Sequence, residues 1–369
     1  MGANGRIGVG IIGCGNISSQ YLKAMRDFPV LEIIVIADMR PEVAEKKAAE
    51  FGLIAVSVEA LLGDPKVELI VNLTIPRAHV EVGLRAIAAG KHVYGEKPLG
   101  VNFAEGKKLA EAAKVAGVRI GSAPDTFLGG SHQEARALLD SGAAGDIVGG
   151  TAYFACPGHE RWHPDPAFYY DIGGGPVLDM GPYYITDLIN LLGPVDTVQA
   201  MSATPKLERP IYSEPKRDQL MPVKVATHVA GLMRFKSGAI IQVTLSFDVP
   251  AHQHLPFELY GTKASVLVPD PNMFGGEVRT RAPGEKEWSL VETTYPYADA
   301  NYRSLGVADM AHAILSGRAH RASGDLALHV LEVMESFETA SRTAAPVAIT
   351  SPVSRPEPIS TSLKDGRIS

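Results

Sequence analysis

The chain has 369 residues, 46% of them hydrophobic and 21% charged, with a formal net charge of −6. That length suggests two domains, and the apolar fraction excludes wholesale disorder. A mildly acidic chain does not draw phosphate backbones through its bulk field, so no nucleic-acid partner is expected.

In chain order, the first third alternates short apolar runs with helical patterns. Ile7–Ile12, Leu31–Ala37, Leu69–Leu73, His92–Tyr94 and Val118–Ile120 read as strands buried on both faces, as in a parallel sheet. Helices are predicted between them at about 17–27, 41–51, 78–89 and 103–116. This rhythm predicts an α/β domain with a doubly wound parallel sheet over residues 1–123. A second domain is expected over 124–350. It opens with a helix at 131–141 and a strand near 147–156, followed by an irregular aromatic stretch at 157–178 and a helix at 178–192. Two hairpins follow. Thr227–Phe235 pairs with Ala239–Phe247, and Phe257–Tyr260 with Ala264–Val268, so this sheet is antiparallel. Helices at roughly 301–316 and 324–342 precede a polar, Pro-rich tail (351–369) that reads as loosely held.

Cys14 and Cys156 form no disulfide framework and lack the spacing of a zinc site, so no metal is expected. They fit a reducing, cytoplasmic setting. No run of about 18 apolar residues is present, so no membrane span is expected. The opening MGANGRIGVGIIG does not read as a secretion signal.

Three motifs carry chemistry. Gly13-Cys14-Gly15-Asn16-Ile17-Ser18 follows a strand and opens a helix. Gly13 permits the tight turn, and Gly15 lets backbone amides approach a pyrophosphate that the helix N-terminus then holds. Ser18 replaces the usual third glycine. Asp38, 25 residues after Gly13, ends the second strand, where an acidic residue binds both ribose hydroxyls of an adenosine. Its charge favours NAD over NADP, although Arg40 is placed to pair with a 2′-phosphate, or to be a solvated surface charge. The second motif is Tyr94-Gly95-Glu96-Lys97-Pro98, at the carboxyl end of a strand, where ligands bind in open α/β sheets. Alone, an adjacent Glu-Lys also reads as a surface ion pair. The third is Gly173-Gly174-Gly175-Pro176 followed by Asp179, Tyr183 and Thr186 on one helix face. Asp179 reads equally as a cap and Tyr183 as core.

Together and in this order, the three motifs resemble the Gfo/Idh/MocA family (glucose–fructose oxidoreductase, inositol dehydrogenase, rhizopine catabolism), over the chain up to about residue 350. The resemblance implies an N-terminal Rossmann domain, then an α/β domain with a large open, mainly antiparallel sheet. It implies hydride transfer between a nicotinamide cofactor and a hydroxyl carbon of a sugar, glycoside or cyclitol. By position, Lys97 matches the family's catalytic lysine and Asp179 the acidic residue that helps hold substrate. Thr74, Pro76 and His79 match a loop lining the cofactor, and Glu96 a place near the nicotinamide ribose. Trp162-His163 stands where many members carry Trp-Arg, near cofactor and substrate.

Departures shape the expected mechanism. The family's catalytic histidine is Tyr183 here, the Asp three residues on is Thr186, and the segment Ala123–Phe127 lacks an arginine. Tyr183 or Lys97 is therefore expected to take the hydroxyl proton, since a lysine ammonium within reach lowers a tyrosine from its usual value near 10. His159 or His163 is an alternative base. Asp125, His163 and Tyr170 are expected on the substrate side with Lys97, Asp179 and Tyr183. Two other readings stand: a non-redox glycoside-processing enzyme with retained NAD, and an inactive cofactor-binding sensor. A homo-oligomer, dimer or tetramer, is expected because an open sheet usually finds a partner.

Overall fold

A computed structural model of the chain describes residues 5–361 and Ile368. Its first part runs β1 (Ile7–Ile12), α1 (Asn16–Met25), β2 (Leu31–Ala37), α2 (Pro41–Phe51), α3 (Val58–Gly63), β3 (Leu69–Asn72), α4 (His79–Ala88), β4 (His92–Gly95), α5 (Phe103–Ala116) and β5 (Ile120–Ser122). The helix α3 lies outside the helices predicted from the sequence. It is short, and its start is set by Ser57, whose side chain accepts from the Ala60 amide. Then follow α6 (Gly130–Asp140), β6 (Ile147–Ala155), α7 (Gly175–Leu192), β7 (Val195–Ala203), β8 (Glu208–Pro210), β9 (Leu220–Pro222), β10 (His228–Phe235) and β11 (Ile240–Ser246). The chain continues through β12 (Phe257–Gly261), β13 (Ser265–Val268), β14 (Val278–Arg281), β15 (Ser289–Val291), α8 (Leu305–Ser316), α9 (Gly324–Thr343) and β16 (Val347–Ala348).

Strands β1 to β5 form an all-parallel sheet in the order β2-β1-β3-β4-β5. Every residue of β1 and β3 is buried, as continuous apolar strands covered on both faces require. With β2 on one side of β1 and β3 on the other, the connections leave in opposite directions. The loops after β1 and β3 therefore open a crevice at the carboxyl ends of the strands.

The second sheet has nine strands in the order β15-β14-β13-β12-β6-β11-β10-β7-β16. Its pairings are antiparallel except β6 with β11, which is parallel because α7 intervenes between them in the chain. Along β10, Val229, Met233 and Phe235 are buried while Leu232 and Arg234 are exposed. Met201, Ile240 and Tyr260 lie in register on that second face and are exposed. No helix among the described residues is long and apolar enough to cross a membrane.

The chain divides into two compact units, differently from the expected 1–123 and 124–350. The first unit holds residues up to Gly130, Thr294–Leu328 and the end of the chain from Pro356; the second holds Ser131–Thr293 and His329–Arg355. Residues 294–328 return to the first unit because Asp125 Oδ2 accepts the amides of Ser304 and Gly306, each at 3.0 Å, at the start of the buried helix α8. The described part of the tail is held. Arg321 Nε and Nη2 donate to the carbonyls of Glu357 and Pro358 at 2.9 Å, and Ile359 is buried.

Inside the second unit, His132 on α6 and Asp187 on α7 are fully buried, with Nδ1 2.8 Å from Oδ2. His132 Nε2 faces the Met273 carbonyl at 2.9 Å, so both ring nitrogens meet acceptors, and the Asp187 carboxylate beside the ring favours its charged form. Burial pulls its pKa down, but the Asp187 carboxylate and these hydrogen bonds raise it above the ordinary 6.5. A histidine raised in the folded state stabilises fully below its unfolded pKa, and that contribution fades as pH climbs through the folded value. His132→Gln should cost about 3–5 kcal/mol in urea unfolding at pH 6. The gap to wild type should narrow as pH rises; a gap independent of pH would show that the pair is not ionic.

Candidate functional site

The Gly13 loop is shaped by its neighbour. Gly13 has φ +102°, and a Cβ there would meet the backbone of Leu73 and Thr74 at 2.6–2.8 Å, so the loops after β1 and β3 touch through backbone alone. A Cβ at Gly15 would meet open space, and α1 begins at Asn16-Ile17 with no side-chain cap on its amides. An uncapped helix N-terminus beneath a clear approach suits a pyrophosphate. Asp38 Oδ2 accepts from the Cys14 amide at 2.8 Å and Oδ1 from the Arg40 amide at 3.0 Å, which fixes the carboxylate at the tip of β2. Arg40 Nε is 4.0 Å from Asp38 Oδ1 on a largely exposed side chain. Met39, on the loop after β2, and Ile75, on the loop after β3, are exposed large apolar residues. The residues present fit a dinucleotide: amides for the pyrophosphate, a carboxylate for the ribose and apolar contact for a flat ring.

Lys97 follows β4 on the same edge. Glu96 Oε1 accepts from the buried Tyr21 hydroxyl at 2.7 Å, and Oε2 from the Lys97 amide at 3.0 Å. The carboxylate thereby fixes the backbone that carries the lysine. His79 is 3% exposed. Its Nδ1 is 2.7 Å from the Pro98 carbonyl and its Nε2 2.9 Å from the Thr74 carbonyl. The ring joins the Thr74 loop to the residue after Lys97 and presents no surface of its own, and burial holds its pKa below the ordinary value. Thr74 Oγ1 donates to Asn72 Oδ1 at 2.7 Å, and Pro76 opens the turn that leads into α4.

In the second unit the glycine run is the entry to α7. A Cβ at Gly174 would lie 2.4 Å from the Phe168 carbonyl and 2.7 Å from that of Tyr169. The close approach expected of this run is thus to the preceding turn, and the helix starts three residues earlier than its apolar pattern suggests. Asp179 and Tyr183 follow one turn apart on α7. Asp179 is partly exposed and Tyr183 is 8% exposed. Asp179 Oδ2 lies 2.9 Å from His159 Nε2, and the Trp162 indole N–H donates to His159 Nδ1 at 3.1 Å. Trp162 is 60% exposed. His163 packs edge-on against Trp162 and Tyr169, accepts the Asp165 amide at Nδ1, and is held below its ordinary pKa by burial.

Two expected substrate contacts belong elsewhere. Asp125 is 1% exposed and serves as the cap of α8; burial raises its pKa, opposed by the Gly306 and Ser304 amides. Tyr170 is fully buried, its ring packed with Phe247, Ile211 and Met221, and its hydroxyl donates to Glu160 Oε2. That contact belongs to an anchor which carries no sequence signal. Arg209, 2% exposed, donates to Glu160 Oε1 at 2.9 Å, to the Phe247 carbonyl at 3.1 Å and to Asp248 Oδ1. The anchor holds the turn that bears His159.

Two family models match the chain. "Oxidoreductase family, NAD-binding Rossmann fold" covers residues 7–123, and "GFO/IDH/MocA C-terminal domain" covers residues 132–267. A dTDP-3,4-didehydro-2,6-dideoxy-alpha-D-glucose 3-reductase of Saccharopolyspora spinosa is 28% identical over 70% of this chain and 74% of its own. A 1,5-anhydro-D-fructose reductase of Ensifer adhaerens is 26% identical over 74% of this chain and 77% of its own. Among solved structures, a levoglucosan dehydrogenase in complex with NADH superimposes with a TM-score of 0.82 at 21% identity, over 94% of this chain and 100% of that one. The chain belongs to the Gfo/Idh/MocA family of oxidoreductases, and residues 7–123 are its NAD-binding Rossmann domain.

Proposed function

We propose that the protein is an NAD-dependent dehydrogenase or reductase acting on a hydroxyl carbon of a sugar, glycoside or cyclitol. The observation that carries this reading is Lys97, fixed by Glu96 at the carboxyl end of β4, on the sheet edge that carries the Gly13 loop and Asp38. The names of the relatives, each a sugar reductase or dehydrogenase, support the substrate class.

The nicotinamide, when bound, takes or returns a hydride at C4. The remaining work falls to the chain. The α1 amides and Asp38 hold the dinucleotide, with the Asp38 carboxylate favouring an unphosphorylated ribose and engaging Arg40, which would otherwise be available to a 2′-phosphate. Lys97 donates a hydrogen bond to the reacting oxygen, and Tyr183, or Lys97 itself, receives the hydroxyl proton during oxidation. Asp179 accepts from a substrate hydroxyl. The exposed face bearing Met201, Leu232, Ile240 and Tyr260 supports a homo-oligomer, dimer or tetramer.

Lys97→Met and Tyr183→Phe should each lower kcat by about 10²- to 10⁴-fold while leaving the Kd for NADH within about two-fold. Full activity of Tyr183→Phe would assign the proton elsewhere. Asp38→Ala should raise the KM for NAD by about ten-fold, the loss of a charge-assisted hydrogen bond, and improve NADP relative to NAD. An unchanged cofactor preference would remove Asp38 from the ribose site.

A further inference from the structure

The His159 imidazole makes two hydrogen bonds that fix its chemistry. An indole N–H can only donate, so His159 Nδ1 receives the Trp162 proton with its lone pair at 3.1 Å. Nε2 must then carry the ring proton, which it gives to Asp179 Oδ2 at 2.9 Å. The ring is the neutral Nε2–H tautomer, with a carboxylate on one side and an acceptor lone pair on the other.

The acceptor is rigidly placed. The His159 amide donates to the Tyr170 hydroxyl at 3.1 Å, and Tyr170 is locked through Glu160 to Arg209. The imidazole packs against Tyr169 and Phe247, with ring centroids 4.3 and 4.5 Å away. Its donor is of another kind, since Trp162 is 60% exposed. A preorganised acceptor paired with a solvent-exposed donor can exchange that donor for a ligand hydroxyl with no net loss of hydrogen bonds.

We infer that His159 is a specificity-determining residue: its Nδ1 accepts a hydrogen bond from a second hydroxyl of a polyhydroxylated substrate, not the one oxidised, as the Trp162 indole yields its place. This rests on the proposed reaction with a sugar or cyclitol. Asp179 keeps its bond to Nε2 throughout and holds the ring in the accepting tautomer.

The deciding variant is His159→Gln. Its amide reaches the Nε2 position and still donates to Asp179, but it offers no acceptor at Nδ1. The measurement is kcat/KM with NAD for the sugar that wild type oxidises and for each of its monodeoxy analogues. Wild type should disfavour one analogue by about ten-fold or more. His159→Gln should lose about that factor on the parent sugar alone and treat the two alike. If His159 only oriented Asp179, Gln would restore the parent rate and keep the discrimination, and that result overturns the inference. Imidazole ¹⁵N spectra of wild type with NADH read the same contact without turnover. The sugar should move the His159 Nδ1 resonance and the discriminated analogue should not. A shift without turnover keeps the hydroxyl subsite and overturns the dehydrogenase reading. No shift with levoglucosan, D-glucose or myo-inositol overturns the subsite.

Discussion

The parallel register of β1, β3 and β4 is the constraint on which the dinucleotide site depends. Ile12 pairs with Asn72, and Asn72 with Gly95, so the three strands end in one row. Whatever follows them is delivered to the same edge: the Gly13 loop, the Thr74 loop, and Glu96 with Lys97. Asn72 ties the row together, its side chain donating to the His79 carbonyl at 3.0 Å and accepting from Thr74. The missing side chain at Gly13 then lets two loop backbones touch. A dinucleotide site is assembled by strand direction first and by individual residues second.

The second unit solves a different problem. The side chains proposed to meet substrate stand on a turn and a helix, and a turn has few backbone hydrogen bonds to hold it. The Arg209 guanidinium supplies the rigidity, gathering Glu160, Asp248 and the Phe247 carbonyl in a buried cluster. Desolvating these charges is costly and is offset by charge-assisted hydrogen bonds on both partners. The yield is positional: His159, next in sequence to Glu160, has one ring orientation and one tautomer.

What was legible in the sequence was local. Gly13, Asp38 and Lys97 sit at the ends of apolar runs, so strand direction and loop position follow from the pattern itself. The hairpin β10–β11 was announced by Lys236-Ser237-Gly238. What was not legible depended on pairings across the fold. Asp125 looks like a loop carboxylate facing ligand until α8, 180 residues later, presents its amides to it. Tyr170 lies in an aromatic stretch that reads as a carbohydrate surface, yet its hydroxyl is claimed by Glu160. No spacing rule joins Arg209 to Glu160 or His159 to Asp179, because sheet topology and the 3-10 turn at His159–Arg161 create those contacts.

The most direct measurement is the reduced-nicotinamide absorbance of purified protein mixed with NAD or NADP and a panel of monosaccharides, anhydrosugars, glycosides and inositols, at a protein concentration where one equivalent is visible. Continuous turnover with NAD and at least one of these substrates is the predicted result. Absorbance that never changes, or that stops at one equivalent of protein, would contradict a dehydrogenase that exchanges its cofactor.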